Sequence, residues 1–204
     1  MIVPARPFPP PLELATFQHD VVEVAPALLG ALLIRVTTEG TTIGRIVETE
    51  AYLASGDSAC HAARGQTPRN AAMFGPAGRA YVYAIHSRWC FNVVTQSEQV
   101  PSAVLIRAVE PLQGIELMQT RRGRDKLLAL ARGPARLCEA FAIDRTLNHL
   151  DLTLGSQLWL SAGDQEISEE QIGISVRIGV TSAKELPLRF FLRDNRFVSG
   201  KRIN

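Results

Sequence analysis

Apolar residues along this chain fall mainly in short, partly β-branched runs of strand length, with only short stretches at helical spacing. Alternating or continuous apolar runs at residues 31–36, 43–53, 81–85, 89–94 and 103–109 predict five strands. The sextet TTEGTT (37–42) joins the first two into a hairpin, and His86-Ser87-Arg88 gives the next pair a polar, cationic tip. Beyond Leu152, the segments LTLGSQLWL, ISVRIGV and LRFFLR predict further strands that close the sheet. Three segments predict helix. Residues 20–30 can be capped by Asp20 and ended by Gly30. In 111–120, Leu112, Ile115 and Met118 recur at three-residue spacing, and in 134–143 Pro134 sits near the first position, where its missing N–H costs little. Five of the twelve prolines fall within the first eleven residues, so residues 1–13 are expected to be a flexible arm and the folded domain to run from Leu14 to residue 204. No repeat or internal linker divides the rest, which predicts one mixed α/β domain.

One strand carries more than packing. In GRIVETEAY (44–52), period two puts Ile46, Glu48, Glu50 and Tyr52 on one face and Val47, Thr49 and Ala51 on the other. Two carboxylates and a tyrosine therefore share a side, directly ahead of the turn-rich stretch 54–78, which holds Asp57, His61, Arg64, Arg69 and Asn70. A loop of that length inside a compact domain is more often functional than idle. Two readings follow: Glu50 as a catalytic acid or base with Tyr52 as a flat binding surface, or a surface acidic pair on an edge strand.

Composition narrows the function classes. Hydrophobic residues make up 46% and charged residues 21%, as in ordinary globular proteins, and a net charge of +2 announces no polyanionic partner by itself. Three widely spaced cysteines (Cys60, Cys90, Cys138) argue for a reducing, intracellular setting and against a disulfide framework. Cys60 and His61 lack two further metal ligands at usable spacing, so no metal is expected. No apolar run approaches the ~20 residues that span a bilayer, so neither a membrane segment nor a secretory leader is expected.

Several catalytic patterns can be weighed directly. Asp57, Ser58 and His61 are the residue types of a nucleophilic triad, but no GxSxG elbow accompanies them and triads are assembled from distant segments. GPAGRA (75–80) lacks the lysine and hydroxyl of a phosphate loop, and no GxGxxG dinucleotide fingerprint occurs, so no cofactor is expected. What survives is a carboxylate beside aromatics and cations, which suits hydrolysis by an activated water. Arg107, in the middle of AVLIRAV, could orient that water or keep Glu50 ionised. Tyr52 and Tyr83 would suit a flat substrate. Arg121, Arg122, Arg124, Lys126, Arg132 and Arg136 surround a single acid, Asp125, and read either as phosphate contacts or as a solvated basic loop.

The ordered blocks GRIVETEAY, HAARGQTPRNAAMFGPAG, AYVYAI, CFNVVT, AVLIRAVEP, GPARLCEAFAI and RIGV followed by PLRFF resemble the alkyladenine (3-methyladenine) DNA glycosylase family across roughly residues 14–199. The resemblance implies a single α+β domain on a curved antiparallel sheet, with flanking helices and a protruding β-hairpin. It implies a monofunctional, monomeric enzyme of base excision repair, acting on double-stranded DNA that contains an alkylated or deaminated purine. By the same resemblance Glu50 is the base that activates water, and Arg107 and the Ile178 carbonyl help hold that water. Tyr52 stacks on one face of the flipped base and His61 and Tyr83 on the other, while Asn92 in the pocket wall crowds the exocyclic amino group of guanine. Arg64, Arg69, Arg121, Arg122, Arg124 and Lys126 become candidates for the DNA backbone. No lysine is suitably placed near Glu50 for Schiff-base chemistry, so no strand cleavage is expected.

The chain departs from the family pattern at the hairpin tip. Where the family carries an aromatic followed by Gly-Met, this sequence has His86-Ser87-Arg88 and is one residue shorter before Asn92. His86 could still stack as the wedge and Arg88 enter the minor groove. Alternatively the hairpin wedges poorly, leaving a damaged-DNA binding protein with weak turnover. A hydrolase of free nucleosides on the same scaffold is the third class.

Overall fold

A computed structural model describes residues 8–200. Among the described residues are eight antiparallel strands: β1 (Leu32–Thr37), β2 (Gly40–Tyr52), β3 (Ala80–Ile85), β4 (Arg88–Thr95), β5 (Ser102–Gln113), β6 (Leu158–Ser161), β7 (Ile172–Ser175) and β8 (Arg189–Leu192). The main path runs β3-β4-β5-β2-β1-β6, and β8 pairs with both β2 and β7. Around the sheet, among the described residues, lie the α-helices α1 (Leu14–Phe17), α2 (Val21–Ala27), α3 (Ile115–Arg122) and α4 (Pro134–Ala140). The outcome is the α+β single domain that the pattern predicts. No helix among the described residues is long and apolar enough to cross a membrane.

The main core forms where α2, α4 and the C-terminal segment cover one face of β2, β4 and β5, bringing Val24, Leu28, Val47, Phe91, Val104, Ile106, Leu137 and Phe197 together. Asp20 caps α2, its carboxylate accepting from the Val22 N–H at 2.8 Å. β2 is central because it pairs with β1, β5 and β8. Its Gly44 is a packing requirement: a Cβ there would lie 2.8 Å from Val109 and 3.0 Å from the Phe141 ring.

Four expectations need correction. Ile46 does not share a face with Glu48 and Glu50, because register shifts on either side of Glu48 let Ile46 and Val47 both enter the core. The helix expected over 111–120 begins only at Ile115, since β5 continues through Pro111 to Gln113 and Gly114 turns in the left-handed region. The segment ISVRIGV is a strand only through Ser175, and the stretch from Arg177 to Val180 leaves the sheet toward the site. Part of the proline-rich arm is docked. Pro9 and Pro10 carbonyls accept from Trp159 and Ser161, Leu12 N–H donates to Leu160, and the Phe8 ring lies 6.2 Å from that of Trp159. Residues 1–7 of the arm lie outside the described residues.

Candidate active site

The β2 end and the strands beside it build the floor of a pocket of about 620 Å³. Register explains why its residues converge. Tyr81 lies opposite Asn92, Asn92 opposite Leu105, and Leu105 opposite Glu50, so one row across four strands presents these side chains on a common face. Two residues along each strand, Tyr83, Arg107 and Tyr52 repeat that face. The segment 53–78 and the segment 178–182 supply the walls, with His61, Arg64, Arg69 and Asn70 from the first and Ile178 from the second.

Glu50 is fully buried, and every donor it has is accounted for. Its Oε1 accepts from the Ile178 N–H at 2.8 Å and lies 3.1 Å from Arg107 Nη1. Its Oε2 accepts from the Tyr52 hydroxyl at 2.9 Å. Burial first, then the charge of Glu50, pushes the Tyr52 phenol well above its ordinary range, so it stays protonated and remains a donor. Glu48 is also fully buried but has a different task. Its Oε1 accepts from Arg107 Nε at 2.9 Å, Arg189 Nε at 2.7 Å and the Ser199 hydroxyl at 3.0 Å, and its Oε2 accepts from the Ser199 N–H at 2.7 Å. Arg107 thus bridges both carboxylates. Burial opposes its charge, but Glu50 and then Glu48 outweigh that and raise its pKa. Two buried acids are compensated by two buried guanidinium groups, which is the condition for keeping either charge out of water.

The aromatic wall is built from β3 and the long loop. His61 and Tyr83 meet edge-on with centroids 4.5 Å apart, and Tyr81 stands 5.1 Å from Tyr83. His61 Nδ1 is 2.8 Å from the Tyr81 hydroxyl. The ring is partly covered by these tyrosines although the residue stays exposed. That partial desolvation, then the nearby Arg69 cation, lowers the His61 pKa and keeps the ring neutral at physiological pH. Asn70 holds the loop in place: its Nδ2 donates to the His61 and Gly65 carbonyls, and its Oδ1 accepts from the Thr67 N–H. Asn92 donates from Nδ2 to the Tyr81 carbonyl at 3.0 Å, which directs the amide within the pocket wall.

The structure also gathers residues that the linear pattern does not identify. Arg177 is buried and donates to both oxygens of Asp57, at 2.6 and 2.7 Å, and to the Ala51 carbonyl at 3.1 Å. Its guanidinium carbon lies 4.6 Å from the centre of the Tyr52 ring. Arg177 is absent from the pocket wall, so it covers the side of that ring turned away from the pocket. Asp57 therefore belongs to no triad: its oxygens are taken by Arg177 and by the Leu53 and Ala59 N–H groups, and His61 is held by Tyr81 instead. The available signal for Arg177 and Arg189 was an arginine inside an apolar run, as in ISVRIGV and PLRFF, since such a residue must find a buried acid. Nothing local names which acid.

Burial raises the Asp57 pKa, but the Arg177 and Leu53 donors outweigh it and hold the carboxyl below its ordinary 3.8. A depressed folded-state value stabilises the protein above the unfolded value, and that stability is lost as pH falls through the folded one. Wild-type urea midpoints are therefore expected to drop between neutral pH and about pH 3, and Asp57→Asn to be less stable at neutral pH with a shallower acid decline. Equal slopes for the two proteins would refute this.

The hairpin of β3 and β4 turns through only two residues. His86 and Ser87 both take positive φ, 46° and 62°, and Ile85 pairs with Arg88. This is the primed turn geometry that matches the twist of a two-stranded ribbon. All four tip residues are exposed, and Ile85, 43% exposed, also lines the pocket. Arg69 Nη2 donates to the Ala84 carbonyl at 2.6 Å and braces the ribbon. Among the candidate backbone-binding cations, Arg64, Arg69, Arg124 and Lys126 are exposed. Arg121 and Arg122 are not available in the same way. Arg121 is tied to Glu39 at 2.8 Å and to the Ala140 carbonyl, and Arg122 to Glu139, with each side chain only 10% exposed. Both serve the α3–α4 packing rather than a free basic surface.

Comparison with known proteins adds to this geometry. Residues 15–196 match the family model described as methylpurine-DNA glycosylase. A protein of Methanoculleus marisnigri is 50% identical over 192 residues, covering 93% of this chain and 99% of the relative. One of Carboxydothermus hydrogenoformans is 47% identical over 91% of this chain and 96% of its own. One of Mesorhizobium japonicum is 45% identical over 95% and 92%. All three bear the name "Putative 3-methyladenine DNA glycosylase".

Proposed function

The chain belongs to the methylpurine-DNA glycosylase family, DNA-repair hydrolases of N-glycosidic bonds, and from that premise we propose that it excises alkylated or deaminated purines by a Glu50-activated water. The observation that carries the proposal is the set of contacts around Glu50. Oε1 is taken up by the Ile178 N–H and Arg107, while Oε2 accepts, among the described residues, only the Tyr52 hydroxyl, which leaves a lone pair for a second donor. A water donating to Oε2 gives its proton there as its oxygen attacks the anomeric carbon. The bond to the base nitrogen breaks, and the base leaves with the bonding pair. Arg107, 3.1 Å from Oε1, pairs with the carboxylate and fixes its position before the step. The Ile178 carbonyl, which accepts from no described residue, is the second holder of that water.

A base held in duplex DNA is beyond the reach of this pocket, so the target nucleotide must be flipped out, at a cost of a few kcal/mol that damage reduces. Tyr52 is the platform on one side of the base, and the His61–Tyr83 pair forms the facing wall. Cationic bases such as 3-methyladenine and 7-methylguanine stack well on electron-rich rings and leave readily, and neutral hypoxanthine fits the same flat slot. Asn92 lies where an exocyclic amino group would be crowded. Arg64, Arg69, Arg124 and Lys126 contact phosphates, while the tip residues Ile85, His86 and Arg88 enter the minor groove.

A single-turnover release assay on duplexes bearing 3-methyladenine, 7-methylguanine or hypoxanthine tests the proposal, with nicking of the abasic product as the control for lyase chemistry. Release without nicking is expected. Failure to release any of the three bases would overturn it. At the tip, His86→Ala should weaken lesion-duplex processing by about tenfold while leaving release from a single-stranded lesion unchanged, and Arg88→Ala should cost mainly DNA affinity and flatten its salt dependence. Wild-type rates on duplex from the combined variant at limiting enzyme would show that the hairpin is no wedge.

A further inference from the structure

We propose that Asp57 and Arg177 set the charge preference of the site by holding a compensated ion pair behind the Tyr52 ring. The inference rests on Tyr52 being the platform for the excised base. An aromatic face attracts a cation through its negative quadrupole, and a cation already stacked on one face weakens that attraction for a second on the other. Arg177 occupies such a position, 4.6 Å from the ring centre on the side away from the pocket. A base stacked on the open face would place its charge about 8 Å from the guanidinium, near enough for repulsion to matter where water is excluded. Neither the Arg177 nor the Asp57 side chain has any exposed surface, which weakens screening by solvent and salt.

Asp57 removes this obstacle. Its two oxygens accept from the two terminal nitrogens of Arg177 at 2.6 and 2.7 Å, and the Leu53 and Ala59 N–H groups help keep it ionised. The ring therefore has a neutral pair behind it and remains open to a cationic base. The same Arg177 also fixes the loop whose next residue, Ile178, donates to Glu50. A merely positioning role would make any disruption of the pair hurt all substrates alike, whereas a charge role makes the two residues act with opposite sign.

The test compares release of 7-methylguanine, which is cationic, with release of hypoxanthine, which is neutral, from otherwise identical duplexes under single-turnover conditions. Arg177→Gln leaves the Asp57 anion behind the ring and should raise the cationic-to-neutral rate ratio by roughly tenfold. Asp57→Asn leaves the cation and should lower it by about as much, and the double variant should return toward the wild-type ratio. Shifts of both single variants in one direction, or unchanged ratios, would overturn the proposal. If Asp57→Asn does not fold, Arg177→Gln decides alone: a raised ratio supports the proposal and an unchanged or lowered one overturns it. A wild-type enzyme that releases neither base would instead remove the glycosylase reading beneath both.

Discussion

Glu50→Gln should reduce single-turnover base release by at least about 10²- to 10⁴-fold, while lesion-duplex affinity stays within a few-fold of wild type. The substitution keeps the volume of the side chain and an oxygen that can accept from the Ile178 N–H. The new amide nitrogen can donate to the Tyr52 hydroxyl, so the platform need not move. What disappears is the negative charge that takes the water's proton and stabilises a sugar that becomes cationic as its bond breaks. Because Glu48 is held by four donors from Arg107, Arg189 and Ser199, it has no freedom to swing across and substitute. Near-wild-type release of 3-methyladenine by the variant would show that another group activates the water.

The second large effect concerns stability. Arg107→Met should destabilise the fold by about 3 to 5 kcal/mol, as removal of one member of a buried charge set does, and abolish base release with it. The methionine fills much of the space but leaves Glu50 without the one cation that contacts it among the described residues, and Glu48 with Arg189 as its remaining cationic partner there. The penalty should be partly relieved by adding Glu50→Gln, which removes the uncompensated charge. Urea unfolding of the two single variants and the double variant forms the decisive cycle. Strict additivity would mean that Glu50 does not depend on Arg107 for its burial.

A strand pattern is local, which is why so much of the sheet could be read from the chain. Short apolar, partly β-branched runs at 31–36, 81–85 and 103–109, bounded by turn formers, mark strands locally, and those segments became β1, β3 and β5. The error at Ile46 shows the limit of a local pattern. The two register shifts that place it in the core arise from how β5 and β8 pair with β2, and no periodicity within β2 contains that information. The helix start at Ile115 is hidden in the sequence for a related reason, since three-residue apolar spacing over 112–118 fits an exposed strand end followed by a helix.

Sequence by itself determined that two acids and a tyrosine would share a strand face beside a loop rich in polar side chains, and the ordered motifs singled out Glu50, Arg107 and the pocket aromatics. Tertiary structure alone decided how the two acids differ. Glu48 lies 151 residues from Ser199 and 141 from Arg189, and Asp57 lies 120 from Arg177, yet these pairs meet within hydrogen-bond distance. Burying a carboxylate is tolerated only where enough donors converge, so the partners at these distances, and not the acids' place in the strand, make Glu48 an anchor held by four donors and leave Glu50 with three.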